Sequence, residues 1–435
     1  MSNKAEEKRA LVPKLRFPEF RGKAEWMKYQ LGQCLLRHPE YGINAPAVPY
    51  SNNLPRYLRI TDISEDGEIR QDQKVSVAKG VIDENYLDDG DVVLARTGAS
   101  VGKAYKYRLK DGKLVFAGFL IRVKPDTRKL NSELLFQFLS TEQYWHWVNL
   151  TSARSGQPGI NGNEYSLLPI PLPPTLNEQQ KIADCLASID DLITTQTQKL
   201  DTLKTHKKGL MLQLFPAEGE TVPKRRFPEF RDMGEWSPEK FGEICKFVRG
   251  PFGGALKKDI FVKEGYAVYE QSHAIYENFD DFRYYITKEK YDELKRFAVK
   301  SNDLIMSCSG TMGKFAVVPS PHKEGVINQA LLKLAVKKGY NLNFIKYTLE
   351  HPLNQEKFLS QSAGGAIKNV VGVDQLKEIE LPIPSLQEQQ KIADCPTSLD
   401  TLIANQAQKI EALKSHKKGL MQQLFPSVGG VAGEA

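Results

Sequence analysis

The sequence is poor in cysteine, has no long apolar run and carries no catalytic signature, and each shortage excludes something. Five cysteines, Cys34, Cys185, Cys245, Cys308 and Cys395, are spread over 435 residues without a CxxC pair. An odd count at that spacing fits reduced thiols in a cytoplasmic protein and gives a zinc site no support. No apolar stretch approaches the roughly 18–20 residues that a membrane helix needs. The charged start, MSNKAEEKRALVPK, has no apolar segment behind it and does not read as a signal peptide. The seven histidines supply no pair at metal-ligand spacing. The expectation is a chain with no metal, no disulfide and no membrane partner.

Common catalytic routes are missing as well. The one Pro-Pro, Pro173-Pro174, lies between Leu172 and Thr175, so the Asn/Asp-Pro-Pro-aromatic tetrapeptide of an adenine methyltransferase is absent. Pro125-Asp126 has no Glu-x-Lys partner downstream in its part of the chain, and Glu293-Leu-Lys295 lacks a first acid. GxSxG, HExxH and a Walker lysine followed by Ser or Thr do not occur. No residue is assigned a catalytic role. The net charge of +7 leans only weakly toward a polyanionic partner.

What the chain does have is a duplication with a period of 210 residues. Residues 177–216, NEQQKIADCLASIDDLITTQTQKLDTLKTHKKGLMLQLFP, return at 387–426 with 27 of 40 positions identical. KLRFPEFRGKAEW at 14–26 returns as KRRFPEFRDMGEW at 224–236. The material between these blocks has diverged. The organisation read from this is an N-terminal segment 1–25, a variable unit 26–175, a central helix 176–216 and a linker 217–235. A second variable unit 236–385, a C-terminal helix 386–426 and a tail 427–435 complete it.

Both near-identical blocks read as long helices with an apolar seam. Ile182, Leu186, Ile189, Ile193, Leu200, Leu203, Leu210 and Leu214 alternate at three- and four-residue spacing, interrupted by Gln196 and Lys207. Ile392, Leu399, Ile403, Ile410, Leu413, Leu420 and Leu424 take the same places in the second, with Gln406 and Lys417 as the breaks. Such a seam points to a coiled coil, in which a buried glutamine fixes register. Pro396 stands where the first copy has Leu186, so a kink near Asp394, or a helix starting in earnest at Thr397, is expected. The His206–Lys208 and His416–Lys418 clusters before Leu-Phe-Pro complement the helix dipole or meet a partner.

The variable units read as mixed strands and helices. In the first, strands are expected at 57–63, 91–96, 103–109 and 119–124, followed by a helix over 132–148. In the second, strands at 266–271, 303–308, 314–319 and 331–336 precede a helix over 343–360 broken at Pro352. Each unit has a strand running into a Gly-rich turn that ends on lysine: Arg96, Thr97, Ser100 and Lys103 in one, Ser309, Thr311 and Lys314 in the other. Glycine permits close backbone approach to a phosphate, and the hydroxyls and lysine supply donors. A nucleotide P-loop does not fit, because the spacing is short and Ala104 or Phe315 follows the lysine. A purely structural hairpin turn remains open. Gln157 and Asn161, and Lys368 and Asn369, lie in a second polar loop of each unit and have the amides and cations that read base edges. Arg59 and Thr61, with Gln271, Ser272 and His273, complete the DNA-binding candidates. Arg96 is the best placed of them for specificity.

The RFPEF segments (Arg16–Phe20, Arg226–Phe230), the Gly-rich turn, the Glu-Gln-Gln-Lys-Ile-Ala helix starts (Glu178–Ala183, Glu388–Ala393) and the KKGLM helix ends together resemble the specificity subunit of type I restriction–modification systems. The resemblance covers nearly the whole chain. It implies an α+β fold with two target-recognition domains joined by two long antiparallel coiled-coil helices, pseudo-two-fold from the repeat. It implies double-stranded DNA as a partner, each variable unit reading one half of a bipartite, asymmetric site. Two modification subunits that methylate adenine and the restriction and translocase subunits are the further implied partners, in a cytoplasmic, nucleoid-associated complex. S-adenosylmethionine, ATP and magnesium are then cofactors of those partners, none being bound by this chain. About 36 helical residues at about 1.5 Å each would span ~54 Å, an upper limit of roughly 16 base pairs between the heads. Two other readings stay open on residues alone: a double-headed scaffold that binds protein or RNA, and a stand-alone DNA enzyme.

Overall fold

The computed structural model describes residues 11–70, 72–153, 156–252, 254–356 and 372–426. Lys368 and Asn369, the tail from 427 and the first ten residues lie outside them. Packing divides the chain into two compact units, 1–197 with 408–435, and 198–407. Each unit therefore takes one variable region and part of each long helix, Leu176–Leu214 and Leu386–Leu424.

The variable region of the first unit holds a four-stranded antiparallel sheet, in the order Glu40–Tyr41, Leu120–Val123, Val92–Ala95, Ala104–Lys106. A second four-stranded sheet runs Ala47–Pro49, Val75–Val77, Arg56–Leu58, Leu114–Phe116, its last two strands parallel. In the second unit the antiparallel sheet is Cys245–Arg249, Leu331–Val336, Leu304–Ser307, Phe315–Val317. Beside it lies a three-stranded sheet, Tyr285–Ile286, Tyr266–Tyr269, Gly325–Ile327. The proline-rich strands pair with the residues that follow each RFPEF segment, Met27–Gln30 with Pro169–Leu172 and Ser237–Lys240 with Glu380–Ile383. Two-stranded ribbons tolerate these prolines because a strand with a free edge loses no second ladder bond.

The first variable region's helix is not continuous. It forms Ser132–Phe138 and Glu142–Ser152, because the Thr141 hydroxyl donates to Phe138 O and accepts from Tyr144 N–H, capping a new helix. In the second region the helix Leu342–Glu350 does end before Pro352, with helical turns resuming over 352–356. The expected helix start at Thr397 is corrected, since Leu386–Leu424 runs without interruption through Pro396. The turns before the proline are anchored by tertiary bonds from Glu388, Gln389 and Gln390, which offset the single missing backbone bond.

Those bonds give the Glu-Gln-Gln motif its physical role. Arg16 donates from Nε and Nη2 to Glu178 at 2.7 and 2.8 Å, and the Trp26 indole N–H adds a third bond at 3.3 Å. Arg226 and Trp236 treat Glu388 in the same way, at 2.8, 2.8 and 3.3 Å. Gln179 and Gln180 accept from the backbone and side chain of Asn131, which itself caps the helix at Ser132. Gln389, Gln390 and Asn341 repeat the arrangement. One tripeptide thus locks each RFPEF segment and each variable region onto the start of a long helix.

Within the first unit, the long helices run antiparallel. Asp190 meets Lys417 at 2.7 Å, and Ile182 and Leu186 share a core with Met421, Leu424 and Phe425. Within the second, Lys207 meets Asp400 at 2.6 Å, and Met211, Leu214 and Phe215 share a core with Ile392 and Ala393. The seam positions are buried or half-buried: Ile189, Gln196, Leu203, Leu210, Leu399, Leu413 and Leu420 are half-buried, and Gln406 is buried. The lysine breaks in the seam are therefore ion-pairing positions. The dipole reading of the basic clusters is corrected too, because the last turn of neither helix holds a basic residue.

Candidate functional site

The two variable regions share one frame despite their divergence. Val92 pairs with Val123 and Leu94 with Ile121; Leu304 pairs with Leu334 and Met306 with Leu332. At the far end of each hairpin from the Gly-rich turn a carboxylate, Asp91 or Asp303, is buried beside a basic residue on the adjacent strand. Arg122 lies 3.5 Å from Asp91 and Lys333 lies 3.9 Å from Asp303. Burial pushes both carboxyls above their ordinary range and the Lys333 ammonium below its own, against the pull of the opposite charge. The carboxylates also accept from the backbone N–H groups of Asp88 and Lys300, so they close the preceding turns.

The turn itself needs its glycines. Gly98 and Gly102, and Gly310 and Gly313, all have positive φ, between 61° and 89°, a region costly for other residues. In the first unit the Tyr144 hydroxyl donates to Gly102 O at 2.7 Å and the Tyr165 hydroxyl to Ala95 O at 2.9 Å. The inner side of the turn is spent on packing, and only its outer side chains, among them Thr97 and Ser100, are left for a ligand.

In the first unit the structure joins the two polar loops that the sequence left apart. Thr97 bridges Gly159, Gly98 N–H donates to Pro158 O at 3.0 Å, and Ile160 N–H donates to Arg96 O at 2.9 Å. Gln157 is exposed beside Gly98. The Arg96 guanidinium lies 4.9 Å from the Tyr41 ring centroid, and its buried Nε has no hydrogen-bond partner among the described residues. Its Nη1 donates to Gly118 O at 3.4 Å, a long bond. Arg96, Thr97, Ser100 and Gln157 therefore form one continuous surface.

Other candidates are already engaged. The strand expected over 57–63 ends at Leu58 and turns, and Arg59 is held by the Asp62 carboxylate through Nη2 at 2.7 Å and Nε at 3.1 Å. Thr61, on that turn, is exposed. Asn161 caps the helix Gly162–Ser166 by accepting from Glu164 N–H, so its amide oxygen is already engaged. Lys103 is paired with Glu65, whose side chain is 79% exposed and easily displaced by a phosphate.

The second unit uses the frame differently. The strand expected over 266–271 ends at Tyr269, and Gln271–Tyr276 is helical. His273 borders an open cleft but is engaged as a cap. It is buried, accepts from Glu270 N–H through Nδ1 at 2.9 Å, and stacks on Phe282 with ring centroids 4.6 Å apart. It does the work that Asp62 does in the first unit, where Asp62 accepts from Arg59 N–H at 2.8 Å. Gln271 donates to Thr311 O at 3.3 Å, tying the helix to the Gly-rich turn, while Ser272, Thr311 and Lys314 are exposed and Ser309 is half-buried. An open cleft of about 600 Å³ lies here, lined by Gln271, Ser272, Arg283 and Asn328 among others. Arg283 and Asn328 have no signal in the sequence: Asn328 takes the place of Ala117 in the first unit, so no polar residue repeats there. Lys368 and Asn369 lie outside the described residues.

What the fold and site define is a double-headed recognition protein: two copies of one strand frame, each presenting its own polar and cationic side chains. Among the described residues no group of acidic, histidine and cysteine side chains is arranged to hold a metal ion, and no helix is long and apolar enough to cross a membrane.

A family model described as the type I restriction modification DNA specificity domain matches residues 52–205 and 233–415. This chain belongs to that family. It is similar to the type I restriction enzyme MjaVIII specificity subunit of Methanocaldococcus jannaschii, at 22% identity over 391 residues, covering 87% of this chain and 88% of that one. Its fold matches the crystal structure of a type I restriction–modification S subunit from M. genitalium, with a TM-score of 0.59, 15% identity, and coverage of 96% of this chain and 100% of the other. A chain from a structural study of type I complex assembly and conformational transition matches with a TM-score of 0.54 and 16% identity, over 92% of this chain and 98% of that one.

Proposed function

We propose that this chain is the non-catalytic, DNA-reading subunit of a type I restriction–modification complex. Each head reads one half of a bipartite, asymmetric site. The long helices set the spacing between half-sites and dock two modification subunits, and restriction and translocase subunits join that core. S-adenosylmethionine, ATP and magnesium act on the partner subunits, and the complex works on the nucleoid in the cytoplasm.

The observation that carries this reading is a frame held in common beneath surfaces that differ. The buried acid–base pair, the glycine turn and the backbone register recur in both heads. The side chains carried on that frame do not: the first head has Arg96 and Thr97 where the second has the buried Cys308 and the half-buried Ser309. Sequence is read by side chains at base edges, whereas backbone placement carries no sequence information. Two heads with one frame and two surfaces should therefore dock alike and read differently.

The test is an exchange of residues 26–175 for the equivalent region of another family member. The assembled complex is then assayed by sequencing methylated DNA. One half of the methylated site should change while the other half is retained. A change in both halves contradicts independent reading. Absence of site-dependent methylation in the wild-type complex contradicts the function itself.

A further inference from the structure

The place that Arg96 occupies in the first head is held in the second by Cys308, which is fully buried and offers nothing to a ligand. The backbone fixes that equivalence. Arg96 N–H donates to Phe119 O at 3.1 Å and Cys308 N–H to Ala330 O at 2.8 Å, and each residue follows the strand that pairs with Leu120–Val123 or Leu331–Val336.

The neighbouring edge strand resolves the loss. In the first head Tyr41 lies opposite Ile121, which in turn pairs with Leu94. In the second, Arg249 lies opposite Leu332, which pairs with Met306. Arg249 therefore stands where Tyr41 stands. The glycines that follow confirm the match. Gly42 N–H donates to Leu120 O and Gly250 N–H to Leu331 O. A side chain at Gly42 would collide with Ala117 O at 2.3 Å, and one at Gly250 with Asn328 O at 1.8 Å.

The cation and its neighbour have thus exchanged strands. In the first head the guanidinium comes from the inner strand and leans on an edge-strand aromatic ring, Tyr41, which is 49% exposed. In the second it comes from the edge strand, and the positive charge of Arg249 bears on the Cys308 thiol at the vacated inner position. There the guanidinium lies 5.6 Å from the ring centroid of Phe252, which is 66% exposed. Both heads place one half-buried guanidinium against an exposed aromatic ring at the same corner of the frame. In the second head this corner borders the open cleft, because Asn328 and Ala330, which contact Gly250 and Cys308, line it.

We infer that Arg249 is a base-reading residue of the second head, the counterpart of Arg96 in the first, each guanidinium reading a guanine in its own half-site. This rests on the reading of the chain as a two-headed DNA reader. An arginine fork against the two major-groove acceptors of guanine is the commonest specific protein–base contact. A guanidinium pre-positioned on an aromatic ring loses little freedom in making it.

The experiment uses the full chain assembled with its modification subunits, supplied with S-adenosylmethionine and a random-sequence DNA library. Methylated sites are read by sequencing. Arg249→Ala should relax one guanine position in one half-site, with discrimination falling by roughly 5- to 150-fold, and should leave the other half-site as in wild type. Arg96→Ala should do the same in the opposite half. Arg249→Lys keeps the charge but not the fork, and should relax the same position. If Arg249→Ala lowers the melting temperature, Arg249→Gln is read in its place, and should shift that position toward adenine. Unchanged base preference in folded variants overturns the inference, including the case where affinity falls uniformly as for a phosphate contact. A wild-type complex with no two-part site removes the functional reading and this inference together; a two-part site unaffected by Arg249 substitutions removes this inference alone.

Discussion

Glu178 and Glu388 each gather an arginine and an indole into a pocket that leaves the carboxylates 1% exposed and the arginines 8% and 7%. The hydrogen bonds to these carboxylates hold Arg16 and Arg226 above the ordinary guanidinium range. Removing one member of such a buried pair strands the other charge. Glu388→Ala should cost about 3–5 kcal/mol in chemical denaturation, and a loss below about 1 kcal/mol would show the clamp to be solvated. Glu350 behaves in the opposite sense. It lies 3.7 Å from Lys346 with 27% of its side chain exposed, and desolvation pushes its carboxyl up to about 7 despite that lysine. A carboxyl raised above its unfolded value of about 4.3 binds more protons folded than unfolded between the two. Its contribution to stability is present below about pH 4.3 and is lost as pH rises through about 7. Glu350→Gln should therefore gain on wild type steadily between pH 5 and pH 8 in denaturation midpoint. A constant difference across that range would place the titration elsewhere.

At the scale of elements, the long helices depend on what is attached to them. A run of alternating three- and four-residue spacing is enough to write a seam, but the seam contains a lysine in each copy, and only a partner explains it. Lys207 and Lys417 reach Asp400 and Asp190 within their own units, so a break in the apolar pattern becomes a register contact. Pro396 is the converse case. Its cost is local and legible, yet the helix persists because Arg226, Trp236 and Asn341 grip the turns before it. Leu186 at the equivalent position of the first helix is fully buried. Pro396→Leu should restore the backbone bond and the side-chain packing together, raising stability by up to about 3 kcal/mol. An unchanged denaturation midpoint would mean that the tertiary grip already absorbs the whole cost. The split of the 132–152 region into two helices is signalled only by Thr141 ahead of Glu142, a hydroxyl cap set between two stretches of apolar periodicity.

For the whole molecule, the proposed ruler gives a length test. Each long helix has 39 residues, about 58 Å at about 1.5 Å per residue. Deleting one heptad from both should shorten the gap between half-sites in the methylated sequence and leave the half-sites themselves intact. A constant gap with altered half-sites would contradict the ruler.

The amino-acid sequence by itself determined the duplication, the two long helices and most of the central strands of each head. These depend on local periodicity and on a repeat that survives at a constant offset of 210 residues. It also marked Arg96, whose turn has a recognisable glycine pattern. The tertiary structure decided which loops form one surface, why Glu-Gln-Gln recurs, that His273 and Asn161 are capping residues, and that Arg249 takes the edge-strand place of Tyr41. The physical reason is separation along the chain. Tyr41 and Arg96 are 55 residues apart, and Arg249 and Cys308 are 59 apart; no periodic pattern connects them. Their relation comes from strand pairing, which sets the edge strand and the inner strand on either side of one shared middle strand whichever of them carries the charge.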